Sequence, residues 1–117
     1  MIATEGLGPA SDPPADPAEE LARVAREVAA RFGLTVRELR SATRRASVTG
    51  PRHLAMYLSR LYTSASVRAI GRYYGGRDAA TVRHALRISA VRVESDPSLA
   101  SVLASVGRGR GGRGSGG

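Results

Sequence analysis

The residues with the most chemical content lie close together, in Asp78-Ala79-Ala80-Thr81-Val82-Arg83 and then Arg87. If Val82 turns to a core at helical spacing, Ala79, Ala80, Arg83 and Arg87 share one outward arc. Arginine carries a planar fork of donors that fits two acceptors on a guanine edge, or the oxygens of a phosphate. Small residues beside such forks let a helix sit deep in a groove. Asp78 can accept a backbone N–H as a helix cap, or a hydrogen bond from a cytosine amine. Chemistry of another kind is absent. There is no Cys, hence no thiol nucleophile, disulfide or Cys-based zinc finger, and no Lys, hence no phosphate-loop lysine. His53 and His84 stand 31 residues apart without an acidic cluster, too sparse for a metal site. No nucleophile sits with a base and no carboxylates pair, so neither an enzyme nor a cofactor nor a small-molecule substrate is expected.

The charge pattern points to a polyanion partner. The 117 residues carry 18 basic groups, all Arg, against 10 acidic ones, for a net charge of +8. Residues 1–20 hold five acids and no Arg, whereas Ser41–Arg92 holds ten Arg and one acid, Asp78. A block of this kind attracts nucleic acid first and an acidic membrane surface second. No apolar run is long enough to span a membrane, and no secretory signal opens the chain. A cytoplasmic, nucleoid-associated location is expected.

The punctuation that positions these residues is helical throughout. Residues 1–15 are expected to be a disordered acidic leader, residues 16–106 a folded domain, and residues 107–117, GRGRGGRGSGG, a disordered Arg/Gly tail. Asp16, Pro17 and Glu19 signal the start of a first helix, with Leu21, Val24, Val28 and Phe32 on its buried face and Gly33 after its end. Thr35 and Glu38 form a second capping box. A polar loop is predicted over Ser41–Gly50, with Pro51 opening the third helix and Leu54, Leu58 and Leu61 as its stripe. Ser64 or Ser66 caps the fourth, with Val67, Ile70 and Tyr74 inward, and Gly75-Gly76 turns the chain. The fifth runs from about Asp78 to Val93, with Val82, Leu86, Ser89 and Val93 buried. Asp96-Pro97 opens the sixth, offering Leu99, Val102, Leu103 and Val106 for packing. His84 is read as a partly buried packing residue, and the four Tyr as core or rim. The fourth and fifth helices with the turn between them have the outline of a helix-turn-helix.

Two blocks, Ser47–Thr63 (SVTGPRHLAMYLSRLYT) and Ile70–Leu86 (IGRYYGGRDAATVRHAL), resemble the C-terminal DNA-binding domain of the bacterial replication initiator DnaA. The resemblance rests on Pro51-Arg52-His53-Leu54-Ala55-Met56 and on the Gly-Gly-Arg-Asp signature within Ile70–Val82, and covers roughly Leu21–Val106. It implies an all-α, six-helix domain, Trp-repressor-like, that binds double-stranded DNA. It places Arg44 at a minor groove, His53, Arg60, Val67 and Arg68 against the phosphate backbone, and Asp78, Ala79, Ala80, Thr81 and Arg83 at bases and adjacent phosphate; Arg87 from the outward arc, and Arg52 and Arg77 from the basic block, are further candidate DNA contacts. One departure bears on specificity: where the family has His then Thr or Ser after the Asp, this chain has Ala79 and Ala80. Another is that the initiator's nucleotide-binding domain has no counterpart here, so a standalone DNA binder without ATPase activity is expected.

The use of such binding stays open. One reading is replication-origin recognition or its regulation, with a full-length initiator as competitor at shared sites. A second is a transcription or mobile-element factor with an altered target. A third is RNA or single-strand binding through the Arg/Gly tail, and a fourth is attachment to acidic lipid. A monomer is expected.

Overall fold

Amphipathic repeats and side-chain caps generate the elements. The computed structural model describes residues 17–115, with side chains through Gly107. The leader and the Asp16 cap lie outside the described residues. Helix α1 (Pro17–Phe32) buries Leu21, Val24, Ala25, Val28 and Ala29 on one stripe. Helix α2 (Val36–Arg40) begins with the predicted box: Thr35 Oγ1 accepts from the Glu38 N–H at 3.0 Å, and Glu38 Oε1 accepts from the Thr35 N–H at 2.8 Å. Helix α3 (Ala46–Tyr62) is the central element and packs against α1, α2, α4 (Val67–Tyr73), α5 (Ala79–Ser95) and α6 (Ala100–Ser115). Ser66 caps α4 through the Ala69 N–H at 3.1 Å. Asp96 caps a short 3-10 turn, Pro97–Leu99, ahead of α6. The described residues contain no strand, and no helix among them is long and apolar enough to cross a membrane.

The core is aliphatic. Leu39, Leu54, Leu58, Ile70, Val82 and Val102 are almost fully buried, with Met56 and Tyr74 as its largest irregular fillers. Each such aliphatic side chain stabilises the fold by about 1.5–3 kcal/mol relative to exposure. Burial holds the Tyr74 phenol well above its ordinary range, and its hydroxyl lies 3.5 Å from Ser59 Oγ. Three polar side chains of α1 reach α6: Arg23 donates to the Val106 carbonyl at 3.2 Å, Arg31 donates to Ser101 Oγ, and Glu27 accepts from Ser105 Oγ at 2.8 Å. These bonds fasten α6 to α1.

Four expectations about elements are corrected. Helix α3 starts at Ala46, and Pro51 lies inside it. The earlier turn buries Val48, and the carbonyl that the proline leaves without its helical donor belongs to exposed Ser47, which water can serve. Leu61 lies off the α3 stripe and is 47% exposed, because the buried face follows Val48, Ala55 and Leu58-Ser59. Phe32, in the last turn of α1, is 39% exposed. The backbone of α6 continues through Ser115 into the Arg/Gly segment, where composition predicts no structure; elongating an existing helix fixes one residue per added hydrogen bond and costs far less than starting one.

Candidate nucleic-acid interface

The turn from α4 to α5 is built by close contact. The Arg77 N–H donates to the Gly71 carbonyl at 2.9 Å, which folds the chain back before α5 begins. Asp78 then caps α5, its Oδ1 accepting from the Thr81 N–H at 2.8 Å. That bond and a second one from the Thr81 side chain lower the Asp78 carboxyl below the usual Asp range. The cap keeps Asp78 ionised at the positive end of the helix. The face opposite is settled by burial: Val82, Ala85 and Ser89 are buried. Ala80, Thr81, Arg83 and Arg87 are exposed and Ala79 is half-buried, so the predicted arc is free. His84 joins it, exposed and one turn after Ala80, which corrects its reading as a packing residue. The i, i+4 spacing from Ala80 was the signal for it.

Three further elements border this arc. Arg44 is exposed in the loop between α2 and α3, with no hydrogen bond or ion pair among the described residues. Its neighbour Arg45 reaches Glu38 Oε2 at 3.8 Å. Arg60 on α3 and Arg68 on α4 are exposed, while Val67 is half-buried at the start of α4. His53 is half-buried on α3. Burial first, then the charges of Arg52, His84, Arg92 and Arg77, lower its pKa from the ordinary 6.5.

This His53 shift fixes a sign for acid stability. The folded state holds the neutral imidazole, and the unfolded chain takes up a proton near pH 6.5. The stabilising difference is therefore present above that pH and declines as pH falls through it. Thermal melts at pH 5 and pH 7.5 should show His53→Gln losing less stability on acidification than the parent. Equal losses in both would assign the acid sensitivity elsewhere.

Two residues expected to contact DNA are directed to the chain's own carbonyls instead. Arg52 is 3% exposed, and its Nε donates to the Leu39 carbonyl at 2.8 Å. Half-buried Arg77 donates to the Ser41 carbonyl at 3.1 Å and to the Tyr74 carbonyl. Burial lowers the pKa of both guanidiniums, and Arg77 adds to the shift of Arg52. Backbone carbonyls of α2, of the loop after it and of Tyr74 thus occupy donors that a phosphate would need. Among the described residues no group of three or more His, Asp or Glu is placed to hold a metal.

Known proteins are similar to this chain in sequence and fold. The chain is 43% identical over 89 residues to the chromosomal replication initiator protein DnaA of Thermus thermophilus, covering 76% of this chain and 20% of that protein. It is 35% identical over 92 residues to the protein of the same name from Symbiobacterium thermophilum, covering 78% and 20%. A crystal structure of a DNA replication initiation factor superposes with a TM-score of 0.66 at 26% identity, covering 80% of this chain and 29% of that one. The chain thus spans about a fifth of the length of the curated relatives it matches. Residues 21–88, which include α2 to α4, the Gly75-Gly76 turn and the exposed start of α5, match the family described as Bacterial dnaA protein helix-turn-helix, and the chain belongs to that family.

Proposed function

We propose that this chain binds double-stranded DNA with a sequence preference and does so without catalysis, in replication initiation or its regulation. Helix α5 enters the major groove with Ala79, Ala80, Thr81, Arg83 and Arg87 at its face. Arg44 reaches the adjacent minor groove, and Arg60, Arg68 and the half-buried His53 and Val67 meet phosphates. The observation that carries this reading is the capped start of α5, whose outward arc is exposed beside the free Arg44 loop. The relatives are named replication initiators, which supports the replication setting. A full-length initiator would compete for the same sites.

A specific observation also favours an altered target. Ala80 presents only a methyl group at the exposed reading face, and a methyl can recognise little beyond a thymine methyl. A transcription or mobile-element role on the same scaffold would follow from such a change.

The test is a titration at fixed moderate salt on two duplexes of equal length, one with the family's nine-base-pair box and one scrambled. A preference of about tenfold or more, ~1.4 kcal/mol, is expected for origin-type recognition. Equal affinity would sink that specificity and leave the altered-target reading. Deleting residues 107–117 removes three Arg but keeps Val106, which is fully buried. Duplex affinity should survive with a shallower salt dependence, because fewer counterions are released. Loss of all binding would transfer the function to the Arg/Gly tail and to RNA or single strands.

A further inference from the structure

The two inward arginines converge on one atom. Arg52 Nη2 donates to the Ser41 carbonyl at 2.9 Å and to the Thr43 carbonyl at 3.1 Å. Arg77 Nη2 donates to the same Ser41 carbonyl at 3.1 Å. Among the described residues no carboxylate stands within ion-pair distance of either group. Two like charges meeting at one carbonyl repel each other, and their hydrogen bonds to backbone carbonyls offset that repulsion.

What the pair joins is specific. Ser41 begins the loop that carries Arg44, and the loop braces itself through Ser41 Oγ, which donates to the Glu38 carbonyl at 2.7 Å and accepts from the Thr43 N–H at 3.3 Å. Arg77 directly precedes Asp78, the cap of α5. One guanidinium therefore ties the start of the reading helix to a residue three positions before Arg44. Neighbouring contacts reinforce the tie. Arg40 Nε donates to the Tyr73 carbonyl at 2.7 Å, and its guanidinium lies 4.1 Å from the Tyr73 ring centre. A Cβ on Gly75 would lie 2.9 Å from the Arg40 carbonyl oxygen and would crowd the Arg77 guanidinium; with φ of +96° this position suits glycine on both counts.

We propose that Arg52 and Arg77 are positioning residues that set the spacing between the Arg44 loop and the start of α5, and so govern affinity without touching DNA. This rests on the reading that Arg44 and α5 face the duplex. Only a fork serves the purpose, since each guanidinium reaches two or more carbonyls at once; an ammonium is a point donor.

The test uses the full chain and the box duplex, with helicity and melting temperature checked on every variant. Arg77→Met and Arg77→Lys are both expected to weaken binding fivefold or more. In an Arg44→Ala background, either change should cost less than twofold, because the residue being positioned is gone. Rescue by Arg77→Lys would overturn the proposal. So would a loss for Arg77→Met that stays the same without Arg44 and removes about 0.9 from the salt slope, since that is the signature of a phosphate contact. Should Arg77→Met fail to fold, Arg77→Lys, which keeps charge and stem, decides alone. If Arg44→Ala binds like the parent, the DNA-facing reading fails, and that result is distinct from either outcome at Arg77.

Discussion

Gly71→Ala is expected to unfold the domain or to lower its melting temperature by roughly 8 °C or more, measured by the loss of helical circular dichroism on heating. The reason is local and steric. A Cβ at Gly71 would overlap the Arg77 carbonyl oxygen and lie 3.2 Å from both the Arg77 carbonyl carbon and a methyl of Val82. The first obstacle is backbone, which no rotamer can relieve. Relief requires moving the α4–α5 turn, which breaks the 2.9 Å bond from the Arg77 N–H to the Gly71 carbonyl. Overpacking of this kind costs about 1–3 kcal/mol, and a lost buried hydrogen bond adds about 1. For a domain of this size each kcal/mol is worth roughly 4–8 °C. Arg72→Ala, the adjacent exposed position, is the control and should change stability by no more than about 0.5 kcal/mol. A Gly71→Ala protein that melts with the parent would mean the turn has room to open. The contact with Val82 also reaches α5, so a folded variant should bind duplex less well if that helix faces DNA as proposed.

The contrast between Gly71 and its neighbours shows what one sequence can disclose. Caps and periodicity are local, and they were legible: Thr35 with Glu38, Ser66, Asp78 and Asp96 cap as their types and spacing require. Placing Val82 inward gave the outward arc of Ala79, Ala80, Arg83 and Arg87, of which Ala80, Arg83 and Arg87 are exposed and Ala79 is half-buried. The start of α3 was not legible. Proline at a first helical position is a sound rule, but α3 starts five residues earlier, around a fully buried Val48. Arg52 and Arg77 were hidden for a related reason. An arginine in a basic block reads as a phosphate ligand, and only the folded chain brings Arg77 to a carbonyl 36 residues away. Charge counts locate a surface; they do not say which cations are already occupied. Arg44 could be distinguished from Arg52 only by where the fold left each guanidinium.

Ala79→His with Ala80→Thr is expected to shift recognition toward the family's usual nine-base-pair box. The parent presents two methyls at the start of α5, one half-buried and one exposed. They can touch a thymine methyl but cannot donate to or accept from a base edge. Each new hydrogen-bonded pairing with a base edge is worth about 1–3 kcal/mol of discrimination. The double variant should therefore raise the ratio of box to scrambled affinity by about tenfold or more, ~1.4 kcal/mol. Its affinity for the scrambled duplex should change little, because phosphate contacts carry that binding and none is altered. Folding should tolerate the change: the Asp78 cap runs to the Thr81 N–H, whose backbone is untouched, and the outward side of the helix has room at Ala80. Ala79 is the tighter position, so Ala80→Thr alone serves as the second variant. Both variants would be titrated on the two duplexes at the same salt. An unchanged ratio would show that the outer edge of the first turn does not meet bases in this chain, and that Arg83, Arg87 and Arg44 set its target alone. A raised ratio would show that the scaffold still presents α5 at the depth the family uses, and that the two alanines, rather than a shifted helix, are what separates this chain's preference from its relatives'.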